Sequence, residues 1–170
     1  MSEALRIYTD GSYSATRPNI TYGAYVCPAY TGISEVVSTT NNLFIQSNNV
    51  GGEILAAMRA IEFAVNVAQN IDTDQRIETI IYHDYEGISK WVTGEWQAKK
   101  TLTQFYKWFA TNMQALVIDK MKFTFIHVNG HSGNSGNEAA DGLAANAFVN
   151  PECKDMNEYL ERLLERYYNK

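Results

Sequence analysis

The sequence predicts an α/β domain, on three observations. Its first half reads as a strand, a hairpin and a helix, and its second half alternates strand and helix. At 170 residues it suits one domain, since compact domains run to about 100–200 residues. Residues 4–10, ALRIYTD, alternate in hydrophobicity and stop at Gly11. TYGAYVCPAY and GISEVVST are two further strands joined near Thr31 and Gly32, and Pro28 puts the former near an edge or a strand end. From Glu53 onward Ile54, Ala57, Met58, Ile61, Val65 and Ala68 recur at helical spacing.

RIETIIYHD is apolar on both faces, as expected of a central strand covered on two sides, and it stops at Asp84. A short helical stretch comes next, YEGISKWVTGEW. Thr101 then caps a helix whose Leu102, Phe105, Tyr106, Phe109, Met113 and Leu116 form one core-facing stripe. After the strand KFTFIHV, a Gly-, Asn- and Ser-rich loop feeds a helix from about Ser135 to Phe148. Pro151 separates a last amphipathic helix, where Met156, Tyr159, Leu160, Leu163, Leu164 and Tyr167 keep the helical period. That face must cover something, either its own domain or a second copy. The chain thus divides into a domain at 1–150 and a helical extension at 151–170.

Composition narrows the classes. An apolar fraction of 45% and a charged fraction of 19% are ordinary globular chemistry, with no linker-like or single-sign tract. Cys27 and Cys153 have no partner at zinc-ligand spacing and form no disulfide framework, so a reducing compartment fits. No basic-then-apolar leader opens the sequence and no stretch approaches the roughly 20 apolar residues of a membrane span. The expectation is a soluble, cytoplasmic protein. Its net charge of -5 means that any polyanion must be held by local groups or bound cations.

Four carboxylates come from separate elements: Asp10 and Asp84 at strand ends, Glu53 in the first turn of a long helix, and Asp141 on the later one. Each has a structural alternative. Asp before Gly commonly turns the chain, Glu53 complements a helix dipole, and Asp84 could simply end a strand or cap the short helical stretch after it. Ser135 and Glu138 form an S-x-x-E capping box. Asp141 has less excuse, because it shares a helix face with Glu138, and like charges at that spacing cost a few tenths of a kcal/mol. If the acids converge, their repulsion demands a shared proton or a hard divalent cation such as magnesium or manganese. His131, between Gly130 and Gly133, titrates near neutrality and could transfer protons, whereas His83 and His127 belong to strand packing.

Four stretches carry a resemblance: YTDGS at 8–12, NVGGEILAAMRAIEFA at 49–64, YHDYEGISKWVTGEW at 82–96 and VNGHSGNSGNEAADGLA at 128–144. In this order and spacing they resemble type 1 ribonuclease H, from the start of the chain to about Phe148. The resemblance implies a ribonuclease H-like fold, a mixed five-stranded sheet flanked by helices, to which the last helix is an addition. It implies endonucleolytic cleavage of the RNA strand of RNA/DNA hybrids, leaving 3'-hydroxyl and 5'-phosphate ends. Asp10, Glu53, Asp84 and Asp141 match the acids that hold two magnesium ions, with manganese a possible substitute. His131 matches a mobile histidine and Glu138 an outer acid that assists turnover. Gly11, Ser12 and Asn49 match backbone-contacting positions, and Trp91 and Trp96 with Lys99 and Lys100 match a surface that follows the DNA strand.

Two departures stand out. Asn48 and Asn49 replace a more familiar Thr-Asn pair, and the segment after Trp96 lacks a lysine-rich insertion. The competing readings are a non-catalytic nucleic-acid-binding module on the same fold and a related nuclease with another substrate. The expected partner is an RNA/DNA hybrid and no membrane. The expected state is a monomer, with a dimer through the last helix as the alternative.

Overall fold

The computed structural model describes residues 4–30, 32–72, 74–129 and 134–170. Strands β1 (Leu5–Ser12), β2 (Thr21–Cys27) and β3 (Ile33–Thr39) form an antiparallel meander. Helices α1 (Asn42–Ile45) and α2 (Asn49–Gln69) come after it. Next are β4 (Ile77–His83), α3 (Gly87–Thr93), α4 (Thr101–Leu116), β5 (Met121–His127) and α5 (Ser135–Ala145). The chain closes with a 3₁₀ turn (Ala147–Val149), β6 (Lys154–Asp155) and α6 (Asn157–Tyr168). The sheet order is β5-β4-β1-β2-β3-β6, with β4 parallel to both β1 and β5.

Helices cover both faces, which is why all seven residues of β2 are buried. On one face α2 and α4 supply Ile54, Leu55, Met58, Ile61, Phe105 and Tyr106, all fully buried against Ile7 and Ile81. On the other, Ala144 of α5 and Ala147 just beyond it pack on Tyr22, Ala24 and Val36.

The structure departs from the sequence-based expectation at several element ends. β1 does not stop at Gly11, because Gly11 pairs with Gly23 and Ser12 with Tyr22, carrying the ladder past the aspartate. Helix α2 starts at Asn49, so Glu53 opens its second turn and lies beyond the reach of a first-turn dipole interaction. Lys100, not Thr101, stands at the cap of α4. Asn134 caps α5 by accepting from the Asn137 amide at 2.9 Å, which displaces the expected Ser135–Glu138 box. That helix ends at Ala145 and the 3₁₀ turn takes up the rest of the expected span. Leu116 leaves the core stripe and is 65% exposed at the frayed end of α4.

The sheet has a sixth strand beyond the five expected. β6 is only two residues long and pairs parallel to β3, and the Met156 amide extends the pairing by donating to the Ser38 carbonyl. The Asn157 side chain then bonds Thr39, Thr40 and the Thr40 amide, fixing the start of α6. Leu160 is fully buried, and the Tyr167 ring meets Phe105 and Trp108 edge-on at 5.6 and 5.4 Å. The apolar face of the last helix therefore covers its own domain. Among the described residues no helix is long and apolar enough to cross a membrane.

Candidate active site

The parallel pairing of β1 and β4 decides where two of the acids lie. Tyr8 registers with Tyr82, so two residues on, Asp10 and Asp84 arrive side by side at the same end of the sheet. The pleat sends Tyr8 and Asp10 to one face, toward α5, where Gly136 packs on the Tyr8 ring. From that helix Asp141 comes within hydrogen-bonding reach of Asp10.

Glu53 arrives from α2, and a glycine lets it. A Cβ on Gly11 would lie 2.3 Å from the Glu53 amide nitrogen, and one on Gly52 would lie 2.3 Å from the Tyr22 carbonyl oxygen. Helix and strand touch backbone to backbone there, which no side chain would permit. Gly11, expected to contact substrate, is thus first a packing residue.

One carboxylate oxygen from each of Asp10, Glu53 and Asp84 falls within 4.8 Å of the other two. Asp10 and Glu53 are buried, 6% exposed each, while Asp84 lies nearer the surface. Burial, helped by the neighbouring acid Asp141, pushes Asp10 from an ordinary 3.8 to about 6, against a hydrogen bond shared with Glu53 and the weaker pull of the Gly11 amide, which donates to its Oδ1 at 2.9 Å. Burial, then Asp10, raises Glu53 well above the usual carboxylate range. Glu53 Oε2 is buried with no hydrogen-bond partner among the described residues.

This set fits a hard divalent cation. The donors are carboxylates, they converge, and one buried oxygen lacks a partner; among the described residues no cationic side chain is bonded to Asp10 or Glu53. Asp84 does not cap α3, where Glu86 occupies the cap position, but it does directly follow the end of β4. The Asp-Gly alternative for Asp10 is half right: its side chain bonds the next amide, but within a strand rather than a turn.

Glu138 and Asp141 are on α5, and His131 lies outside the described residues. His83 is fully buried, its Nδ1–H donating to the Tyr85 carbonyl at 2.8 Å, and burial lowers its pKa to about 4. It stays a neutral packing residue, as expected.

The expected substrate-contacting residues separate. Ser12 is half-buried at the end of β1, and Asn49 opens α2. Trp91 is 8% exposed and belongs to the core, but its ring meets Tyr85 at 5.6 Å and Trp96 at 5.9 Å. Tyr85 and Trp91 wall one side of a hollow that Lys99 and Lys100 line with Ser47, Asn48 and Val50 at the start of α2, and Trp96 packs on both rings from outside it. Sequence reasoning missed Tyr85 and Gln97, which also line it. Tyr85 could have been found by its place directly after Asp84.

The RNase H family model matches residues 2–149. This chain belongs to the RNase H family. It is 31% identical to human Ribonuclease H1 over 85% of this chain and 50% of that protein. It is 28% identical to Ribonuclease H of Nitrosococcus oceani over 91% of this chain and 100% of that one. The chain thus spans half of one relative and the whole of another. RNase H1 of Halobacterium salinarum shares the fold, with a TM-score of 0.64 at 18% identity over 86% of this chain and 98% of that one. LC11-RNase H1, solved in complex with an RNA/DNA hybrid, superposes with a TM-score of 0.62 at 16% identity over 86% of this chain and 99% of that one. The family's members bear the name of an enzyme, ribonuclease H, and the acid cluster lies inside the matched span.

Proposed function

We propose that this RNase H is an endonuclease that hydrolyses the RNA strand of RNA/DNA hybrids with two divalent metal ions, leaving 3'-hydroxyl and 5'-phosphate ends. The observation that carries this reading is the meeting of Asp10, Glu53 and Asp84 within 4.8 Å, with a buried Glu53 oxygen left unpartnered. Magnesium, or manganese in its place, would neutralise the carboxylates and polarise the scissile phosphate from both sides.

The chain's own residues do the rest. Asp10 stands within reach of both Glu53 and Asp141, so it is the acid best placed to bridge two ions. Burial of Asp10 and Glu53 keeps water from solvating their charge, which strengthens their hold on cations. Glu138, one helical turn from Asp141, and His131 are assigned proton handling and product release. Gly11, Ser12 and Asn49 border the acids and are assigned backbone contacts, with 2'-hydroxyls marking the RNA strand. Trp91, Trp96, Lys99 and Lys100 are assigned to the DNA strand, supported by the place of Trp91, Lys99 and Lys100 along one hollow and by the packing of Trp96 on the Trp91 ring.

The net charge of -5 does not oppose polyanion binding, since local charge at the site outweighs the total. Residues 1–150 would form the catalytic unit, with 151–170 an extension packed on it. The working form would be a monomer, supported by the burial of Leu160 and Tyr167 against the chain's own core. A reducing cytoplasm would suit the free Cys27 and Cys153.

A hybrid labelled on its RNA strand tests the reading. Cutting should need magnesium or manganese and should vanish in Asp10→Asn and Asp84→Asn while both variants keep their circular dichroism. Metal-independent cutting, or robust activity in either variant, refutes it. Binding of hybrid with no turnover under any metal or pH would establish the non-catalytic alternative. Preferential cutting of another nucleic acid would establish a different nuclease.

A further inference from the structure

A second hollow, about 560 Å³, lies between the start of α4 and the end of α6. Trp96, Lys107, Trp108, Tyr167 and Lys170 line it, together with amide side chains. Gln97 lines both this hollow and the one beside Lys99 and Lys100, so the two adjoin across its side chain. The first reaches Asn48 and Val50 at the start of α2, one turn before Glu53. Together they trace a path from the start of α2, past the aromatic rings, to the end of the C-terminal helix.

Charge along this path is opposite to that of the molecule. The chain has 19 acidic side chains against 14 basic ones, yet among the described residues no Asp or Glu lines either hollow. Residues 87–112 hold four lysines and one glutamate. A hollow elsewhere on α6 carries both signs, with Glu62, Asp155 and Glu158 beside Arg162 and Arg166. Cations beside aromatic faces, free of carboxylates and flanked by amides, make a surface for a phosphate backbone. Lys170 is already held in place, its Nζ 4.0 Å over the Tyr167 ring and donating to the Tyr167 carbonyl.

We infer that the hollow between α4 and α6 extends the nucleic-acid track, so that Lys107 and Lys170 grip backbone phosphates of the hybrid's flank. This rests on the hybrid-cleaving reading, and it gives the C-terminal helix a task beyond packing. In effect Lys170, just past the end of α6 and held by its Tyr167, adds to the basic surface beside the short segment after Trp96.

The test is the double variant Lys107→Gln/Lys170→Gln, with Lys120→Gln/Lys122→Gln as its control. The control removes the same charge from the opposite end of the sheet, where β5 begins. Binding is measured without divalent ions on hybrids of roughly 8 and 24 base pairs across a range of salt. The long hybrid should bind the first variant about tenfold more weakly, and the slope of log K against log salt should fall by about 2, since each lost phosphate contact removes about 0.9. The short hybrid and the control variant should show neither change, and melting temperatures should match the wild type.

Equal losses in both double variants, or an unchanged salt slope, overturn the inference while leaving the nuclease reading intact. If the wild type cuts no hybrid yet the long-hybrid binding loss appears, the nuclease reading falls and the track stands. A wild type that binds neither hybrid overturns the inference and leaves the nuclease reading to the cleavage assay.

Discussion

Glu35 on β3 and Glu53 on α2 are both carboxylates held where α2 meets the sheet, and they have opposite surroundings. Glu35 accepts from Arg59 Nε at 2.7 Å and from its second guanidinium nitrogen at 3.1 Å, with Lys154 at 3.2 Å. Burial alone would raise its pKa, but Arg59 and Lys154 outweigh it and hold Glu35 below the ordinary range. Arg59 is shared with Glu62, which also takes the Tyr159 hydroxyl, so the network ties α2, β3 and α6 together. Glu53, six residues before Arg59 on the same helix, has acids for neighbours, a raised pKa and an oxygen without a partner among the described residues. A buried carboxylate with its cation beside it is structure. One without must take up a proton or meet a cation from outside the chain.

Each side of that contrast can be broken separately. The harshest break of the compensated side is truncation after Pro151. It strips Lys154 and Tyr159 from the network and Met156, Leu160 and Tyr167 from the core, for a loss on the order of 5 kcal/mol read by urea denaturation. The uncompensated side breaks functionally instead: Asp10→Asn should cut hybrid cleavage by about a thousandfold, equivalent to about 4 kcal/mol, with folding intact. Glu35→Gln should do the reverse, costing about 3 kcal/mol of stability because Arg59 loses its main partner, with cleavage retained below the lowered melting temperature.

The smallest effect carries the sharpest sign. A carboxyl whose folded pKa is raised is stabilising to protonate, so Asp10 makes the metal-free protein lose stability as pH rises from about 4 to about 6. The size should be about 1 kcal/mol after allowing for water at the cluster, and Asp10→Asn should flatten the slope. Glu35 acts oppositely: its contribution is present above the ordinary carboxylate pKa and is lost as pH falls through its lowered one. Thermal melts of the two single variants across this window separate the slopes.

Most of the fold was legible because long amphipathic segments carry their own period. Ile54, Ala57, Met58, Ile61 and Val65 announced α2, and the doubly apolar RIETIIYHD announced β4. What escaped was decided by tertiary contact. β6 has two residues and no periodicity to show, and it exists because β3 offers it an open edge. Gly11 reads as a turn locally, yet the approach of α2 holds it in a strand.

The acids were legible singly and their convergence was not. It depends on the register of β1 with β4 and on the bare backbone at Gly11, neither of which a local pattern encodes. The Glu35–Arg59 network went unseen for the same reason, its partners lying on separate elements. The resemblance to ribonuclease H supplied the grouping that periodicity could not.

The most direct test is a manganese-soaked crystal read by anomalous scattering. Two manganese peaks ligated by carboxylates of Asp10, Glu53, Asp84 and Asp141 are expected. A fully soaked crystal with no peak among these four residues would contradict the reading of them as a metal-holding cluster.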